Sequence, residues 1–489
     1  MQRSKPLPSI LNRTIDRRRF LKGAAALTAG AATLPALQGL NLLGASGRAY
    51  AAPGAGGYGP IAPVPDLRDG VERIALPEGF SYRSFGWAGK PMSDGNLTPL
   101  AHDGMASFNM PDGKIRLVRN HEDRNPPGEG SAGGSPKYDE LGGGGTTTLE
   151  IDPATRTLLA DWISITGTIV NCAGGATSWG SWLTCEETNE GPTFFDDGPW
   201  TQQHGYAFDV PASSNAPVNP IALKDLGRFA HEAIAVDPGT WIVYETEDNG
   251  NDSGFYRFVP NQKGNLLGGG NLQMLAIDGM PNYSTIDGQT VGQKLPVAWV
   301  DIADPDPTPV VGETDVFDQG WAEGGARFAR LEGCWYGNNA IYFNATSGGE
   351  VGRGQVWEYR PSGNGGGWLT LIFESPSINI LDRPDNITVS PQGALLLCED
   401  GSGDQFLRAV TQHGGIFDFA SNLQTDHEWA GATFAMHGQG DGNAEDKIKG
   451  QHVTLFVNRQ GDTSGDNPPD DGDEGMTFAI WGPWSKGAL

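Results

Sequence analysis

The chain has 489 residues, with 33 Lys and Arg against 59 Asp and Glu and a formal charge of −26. A surface so acidic repels nucleic acid and anionic lipid and excludes both as expected partners. Glycine stands at 72 residues, about twice its usual share, beside 34 prolines, a balance that favours short strands and tight turns over long helices.

The first element in chain order is a leader. Arg17-Arg18-Arg19-Phe20-Leu21-Lys22 precedes a mildly apolar stretch from Gly23 to Leu43, and Ala49-Tyr50-Ala51 forms a small-x-small pattern. This order predicts a signal peptide over residues 1–51, and the paired arginines point to the twin-arginine export machinery. Asp16 stands where such signals usually carry Ser or Thr. A basic tail beside an Ala-rich helix is the competing reading. Removal of residues 1–51 leaves 25 basic and 58 acidic residues, a charge of −33. No later stretch approaches the roughly 20 apolar residues that cross a bilayer. The expected product is a monomer with no stable membrane span, periplasmic or extracellular. Cargo of the twin-arginine route crosses folded, which suits proteins that load a cofactor inside the cell.

After residue 60, long helical periodicity is scarce, and short β-rich runs recur between turn residues: Thr146 to Ile151, Trp241 to Tyr244, Ile341 to Phe343, Ala394 to Leu397 and His452 to Val457. Within them lies a weak repeat. Cys172 to Glu187, His231 to Glu247 and Asp385 to Asp400 each read as polar residue, strand, Gly-containing turn and a second strand ending in acids. Glu332 to Thr346 is a looser copy, and Gly431 to Asn458 is a fifth with a long insert. A hairpin returns its second strand beside the start of its first, so the polar ends, 15 to 16 residues apart in the first three copies, meet at one sheet edge. Stacked around an axis, such hairpins build an all-β six-bladed β-propeller over residues 52–489, a single domain with acidic tips at one end of the channel. A β-sandwich with solvated acidic hairpin ends is the alternative.

The tips carry the chemistry. Asn120-His121-Glu122, Glu186-Glu187, His231-Glu232, Glu245 to Asp248 and Glu399-Asp400 end repeat strands, and Asp385-Asn386, Glu332 and Cys172 join them if the propeller forms. So many carboxylates at one mouth repel without cations. Oxygen ligands suit calcium, whereas one thiolate among them suits iron better. The four cysteines, Cys172, Cys185, Cys334 and Cys398, equally allow two disulfides in an exported chain, with Cys172 and Cys185 close enough in a hairpin to pair. The acidic run from Asp466 to Glu474 is either a surface calcium site or a solvated loop.

Several of these segments resemble the PhoX-type alkaline phosphatases, twin-arginine-exported propeller enzymes. The segments are Leu117 to Glu122, Asn171 to Glu187, Gly227 to Glu232, Glu247-Asp248 before Gly254 to Phe258, and Asp385-Asn386 before Cys398 to Asp400. The resemblance implies hydrolysis of phosphate monoesters by a cluster of Fe3+ and Ca2+ ions bridged by a thiolate. By position, Cys172 matches that thiolate, and Glu187 and Glu232 match acidic metal ligands. Phe328 to Glu332 looks like the family's Arg-x-Glu element, making Arg330 the phosphate clamp and Glu332 a further ligand. Asn120, Glu122, Glu247, Asp385, Asn386, Glu399 and Asp400 would hold calcium. Ser178 replaces a common Pro, and Leu331 with Gly333-Cys334 departs from the family's Arg-Pro-Glu-Trp form, which bears on the clamp. A propeller phosphodiesterase or lactonase and a non-catalytic calcium-binding propeller are the rival readings.

Overall fold

A computed structural model describes residues 56–192, 200–307, 314–363, 365–438, 446–470 and 472–489. The leader at residues 1–51 lies outside them.

Short strands form because turn chemistry interrupts each apolar run. After strand His231–Val236, Asp237 accepts the Gly239 amide at 2.9 Å and the Thr240 hydroxyl at 2.7 Å. Trp241 then takes a left-handed φ of 67° before strand Val243–Glu247 returns. The same alternation of strand and polar turn fills the described chain, whose α-helix Val316–Ala322 is capped by Asp315.

The strands make an all-β, propeller-like fold of five hydrogen-bonded sheets. The first holds His102–Asn109, Ile115–His121, Gly144–Asp152 and Thr157–Thr168; the second, of three strands, holds Asn171–Ala176, Ser181–Glu186 and Ala207–Pro211. The third has nine strands. It runs outward from His231–Val236 to Lys294–Asp301, which pairs antiparallel with Gly367–Glu374, and back inward to Leu331–Gly337. Two repeats expected as separate sheets are thus fused along their outer edges. The fourth sheet begins at Pro384–Val389 and is extended by Glu72–Pro77 and Ile61–Pro65. The fifth begins at Trp429–His437 and ends on the early strand Ser81–Phe85, which pairs with Met476–Trp481.

Six inner strands stand side by side in a closed ring: His102–Asn109, Asn171–Ala176, His231–Val236, Leu331–Gly337, Pro384–Val389 and Trp429–His437, the last returning to the first. Small residues let them approach. A Cβ on Gly104 would lie 2.5 Å from Ala173 Cα, and one on Gly333 would lie 2.7 Å from Asp385 O. Trp182 is buried and Trp335 partly buried among these strands, while Trp179 stacks on Trp241 at 4.7 Å. Apolar clusters fill the spaces between sheets, such as Ile74, Phe419, Leu455 and Trp484 in one and Phe255, Phe343 and Trp357 in another. No helix among the described residues is long and apolar enough to cross a membrane.

Candidate metal centre

Every inner strand carries a β-bulge at the same place, between His102 and Met105, Asn171 and Gly174, His231 and Ile234, Leu331 and Cys334, Pro384 and Ile387, and Ala430 and Thr433. A bulge inserts an unpaired residue and re-aims its side chain. The first residues within these six bulges are Asp103, Cys172, Glu232, Glu332, Asp385 and Gly431, and they make one ring around the axis.

A second ring follows from a hydrogen bond repeated six times. The amides of Glu122, Glu187, Asp248, Thr346, Asp400 and Gln460, each just past the partner strand, donate to the carbonyls of Ala101, Val170, Ala230, Arg330, Arg383 and Glu428 at 2.8–3.2 Å. Those six acceptors, just ahead of the inner strands, form a third ring. Four of them, Ala101, Val170, Arg330 and Arg383, have left-handed φ of 48–54°, a recurrent backbone twist that turns the chain into the bulge.

The rings converge. Cys172, Glu187 and Glu232 place ligand atoms within 4.8 Å of one another, as do Asp103, Glu122 and Glu428; Glu187, Asp248 and Glu332; and Glu232, Glu332 and Asp385. Gln460 Nε2 joins Asp103 at 2.9 Å and Glu122 at 2.7 Å. Burial and neighbouring carboxylates push Asp103, Glu232 and Glu428 well above the carboxylate range. Burial and Asp385 do the same to Glu332, and burial and Asp400 raise Asp385 to about 7. Burial and Glu232 raise the Cys172 thiol. Glu232 Oε1 is buried with no hydrogen-bond partner. An orphaned carboxylate oxygen, a sulfur and a crowd of acids make a donor set that fits bound cations.

Two arginines enter the centre. Arg330 Nε lies 3.0 Å from Asp248 Oδ2 and its Nη2 lies 2.5 Å from Glu332 Oε1. Arg124 Nε donates to Glu122 Oε1 at 2.9 Å and its Nη2 to Glu187 Oε2 at 2.5 Å. Arg330 is therefore held inside the acidic rings by the acids themselves, despite the changed residues around it.

The structure brings Cys172, Glu187, Glu232, Arg330, Glu332, Glu122 and Asp385 together; Asp400 lies against Glu428 and raises it. Four expected ligands are engaged elsewhere. Asn120 accepts from Trp182 Nε1 and Thr184 Oγ1 and donates to the carbonyls of Cys172 and Ala173. Glu247 accepts from Tyr256 Oη and the Gly254 amide. Glu399 accepts from Arg408 and the Asp382 and Phe406 amides. Asn386 donates to Asp385 Oδ1 and accepts from the Gly431 amide, bracing the neighbouring strand. The reason for Glu247 and Glu399 is the pleat: they precede second-ring residues by one position and point the other way. All four cysteines are free and buried, so the disulfide alternative falls. In the acidic run, Asp473 groups with His427 and Asp462.

Sequence reading missed Asp103, Glu428 and Arg124, and named Asp248 within an acidic tip without singling it out as a ligand. Asp103 had a signal, the acid of His102-Asp103-Gly104 opening a hairpin that closes at His121-Glu122.

A family model described as alkaline phosphatase PhoX matches residues 56–462. Among solved structures, PhoX of Pseudomonas fluorescens in complex with vanadate, a transition state analogue, is 16% identical, with 88% of this chain and 99% of that chain covered and a TM-score of 0.60. A luciferin-regenerating enzyme is 12% identical over 78% of this chain and 92% of its own, with a TM-score of 0.38. No curated protein matches the sequence.

Proposed function

Because the chain belongs to the PhoX alkaline phosphatase family, we propose that it is an exported, metal-dependent hydrolase of phosphate monoesters, a six-bladed propeller with an iron–calcium centre in its acidic rings. The observation that carries this reading is the convergence of sequence-distant bulge residues on shared ligand positions beside Arg330. Six inner strands with six equivalent bulges support the blade count. The Arg17-Arg18 leader supports twin-arginine export to the periplasm or exterior.

Cys172, with Glu187 and Glu232, would hold iron; Asp103, Glu122 and Glu428 on one side and Glu332, Asp385 and Asp400 on the other would hold calcium. Bound metals polarise a phosphoryl group and supply an oxygen nucleophile at moderate pH. The protein's own groups bind and orient. Arg330 offers a planar fork to two phosphate oxygens, fixed by Glu332 and Asp248. Arg124 approaches Glu187 from the adjacent repeat and adds a second cation against the repulsion of the chain's −26 charge. No covalent Ser or Thr nucleophile is required.

The test is hydrolysis of 4-nitrophenyl phosphate and bis(4-nitrophenyl) phosphate by protein purified after native export, with metal analysis. Monoester turnover that is lost on chelation and restored by calcium, with iron in the purified protein, is the expected result. Preferential diester turnover would move the reading to a phosphodiesterase. Calcium without iron or turnover would leave a binding propeller.

A further inference from the structure

The third ring is chemically lopsided. Three of its members, Ala101, Val170 and Ala230, are small or apolar; Arg330 and Arg383 are cationic and adjacent in the ring; Glu428 is anionic. Besides Arg383, the other two long side chains at this position each engage the second-ring residue of the preceding repeat, and Glu428 also groups with Asp103 and Glu122 of the next. Arg330 bonds Asp248, and Glu428 lies against Asp400. Arg383 shares the left-handed backbone of Arg330, with φ of 54° against 49°, so its Cβ leaves the chain in the same sense. Its preceding second-ring neighbour is Thr346, which offers no charge, and Thr346 Oγ1 already donates to the Pro384 carbonyl at 2.5 Å. Arg383 is exposed and makes no ion pair among the described residues, in a chain of charge −26. A left-handed arginine carries backbone strain, because its Cβ crowds the following carbonyl oxygen. Here that strain falls on an unneutralised arginine at the third-ring position next to Arg330.

We propose that Arg383 forms an anion subsite one repeat away from Arg330, receiving a second negatively charged group on the leaving-group side of the substrate. The inference rests on the phosphatase reading and names a substrate class for it: phosphate monoesters whose alcohol portion carries a carboxylate or further phosphate. Arg330 lies deeper, tied to Glu332 and Asp248, and suits the transferred phosphoryl group. Arg383 is exposed and unpaired, and suits the part of the ester that projects from the mouth. The guanidinium fork pairs with either oxyanion in two-point fashion. A cation at the rim discriminates against a neutral leaving group through charge that is screened by salt.

The experiment compares kcat/KM for two matched pairs, phenyl phosphate against 4-carboxyphenyl phosphate and glycerol 3-phosphate against 3-phosphoglycerate. It uses the wild type, Arg383→Asn, which tolerates the left-handed backbone, Arg383→Lys and Arg383→Glu. The anionic-to-neutral ratio should fall about threefold to tenfold in Arg383→Asn, fall further in Arg383→Glu, be partly kept in Arg383→Lys, and shrink in the wild type as ionic strength rises. Equal ratios in the wild type and Arg383→Glu overturn the proposal. Equilibrium binding of 4-carboxybenzylphosphonate against benzylphosphonate reads the subsite without turnover. A wild type that binds the charged phosphonate preferentially through Arg383 yet hydrolyses none of the esters refutes the phosphatase reading alone. Equal binding of both phosphonates, unchanged in Arg383→Glu, refutes the subsite alone.

Discussion

Glu186 and Glu187 are consecutive residues with opposite duties. Glu187 reaches Arg124 and the Cys172 grouping, whereas Glu186 is buried in the wall, accepting from the amides of Ile169 and Gly205 and from His204 Nδ1 at 2.7 Å. His204 also approaches Asp139 at 3.5 Å. Burial lowers its imidazolium affinity, but Glu186 and Asp139 more than offset this and raise it to about 9. A group whose folded value lies above its unfolded value near 6.5 gives stability that is complete below that pH and lost as pH climbs through about 9. The wild type should therefore lose on the order of a few kcal/mol between about pH 6.5 and 9, and His204→Gln should flatten that slope, as read from thermal midpoints across the range. At Cys172, substitution by Ser removes the single sulfur of the centre. On the proposed iron assignment, a visible thiolate-to-iron band should vanish, and phosphatase turnover should fall by roughly 10²-fold or more, equivalent to several kcal/mol of lost metal assistance. An unchanged spectrum would overturn the assignment of iron to Cys172.

At the scale of the element, the bulge decides which acids face the mouth. In the repeat of Asp385, the strand starting at Pro384 slips by one residue before Ile387, and Asp385 is the residue released. Sequence spacing found the hairpins, because Asn171 pairs with Glu186, His231 with Glu247 and Pro384 with Glu399 as the repeat implied. It could not separate Glu399 from Asp400, since a pair of adjacent acids reads the same from either side until the register is known. Glu428 escaped because it precedes its strand, and Asp103 because its hairpin is longer and lacks the cysteines and tryptophans that marked the copy from Cys172 to Glu187. The fusion of two repeats through Lys294–Asp301 and Gly367–Glu374 had no sequence signal, because pairing between outer strands depends on edges brought together only by the ring. Gly333, which departs from the family's motif, has its place explained: a Cβ there would meet Ile387 N at 2.7 Å and Asn386 Cα at 2.8 Å. Gly333→Ala should destabilise by about 1–3 kcal/mol, as overpacking does, and should loosen Asp385, which calcium affinity would report as a second readout.

For the whole molecule, the acids of the rings make folding and ion binding one equilibrium. With Asp103, Glu232, Glu332 and Glu428 all pushed toward the protonated form by burial and mutual repulsion, removal of cations should lower the thermal midpoint. Readdition of calcium should raise it again, each site adding about 2.7 kcal/mol of stability at a hundredfold excess over its dissociation constant. Calorimetry in calcium and in chelator checks this directly, and a midpoint indifferent to both would show that protons alone neutralise the rings.

Strand Ser81–Phe85 zips onto Met476–Trp481. A ribosome that has released only the first four hundred residues holds a circle with its clasp open, five bulges present and the one between Ala430 and Thr433 still to come. Glu428 and Gln460 arrive with that sector, so Asp103 and Glu122 gain their last neighbours late in synthesis. Pulling the two ends apart from a finished molecule should peel this seam first, and the ions nearest Glu428 should escape before those nearest Cys172.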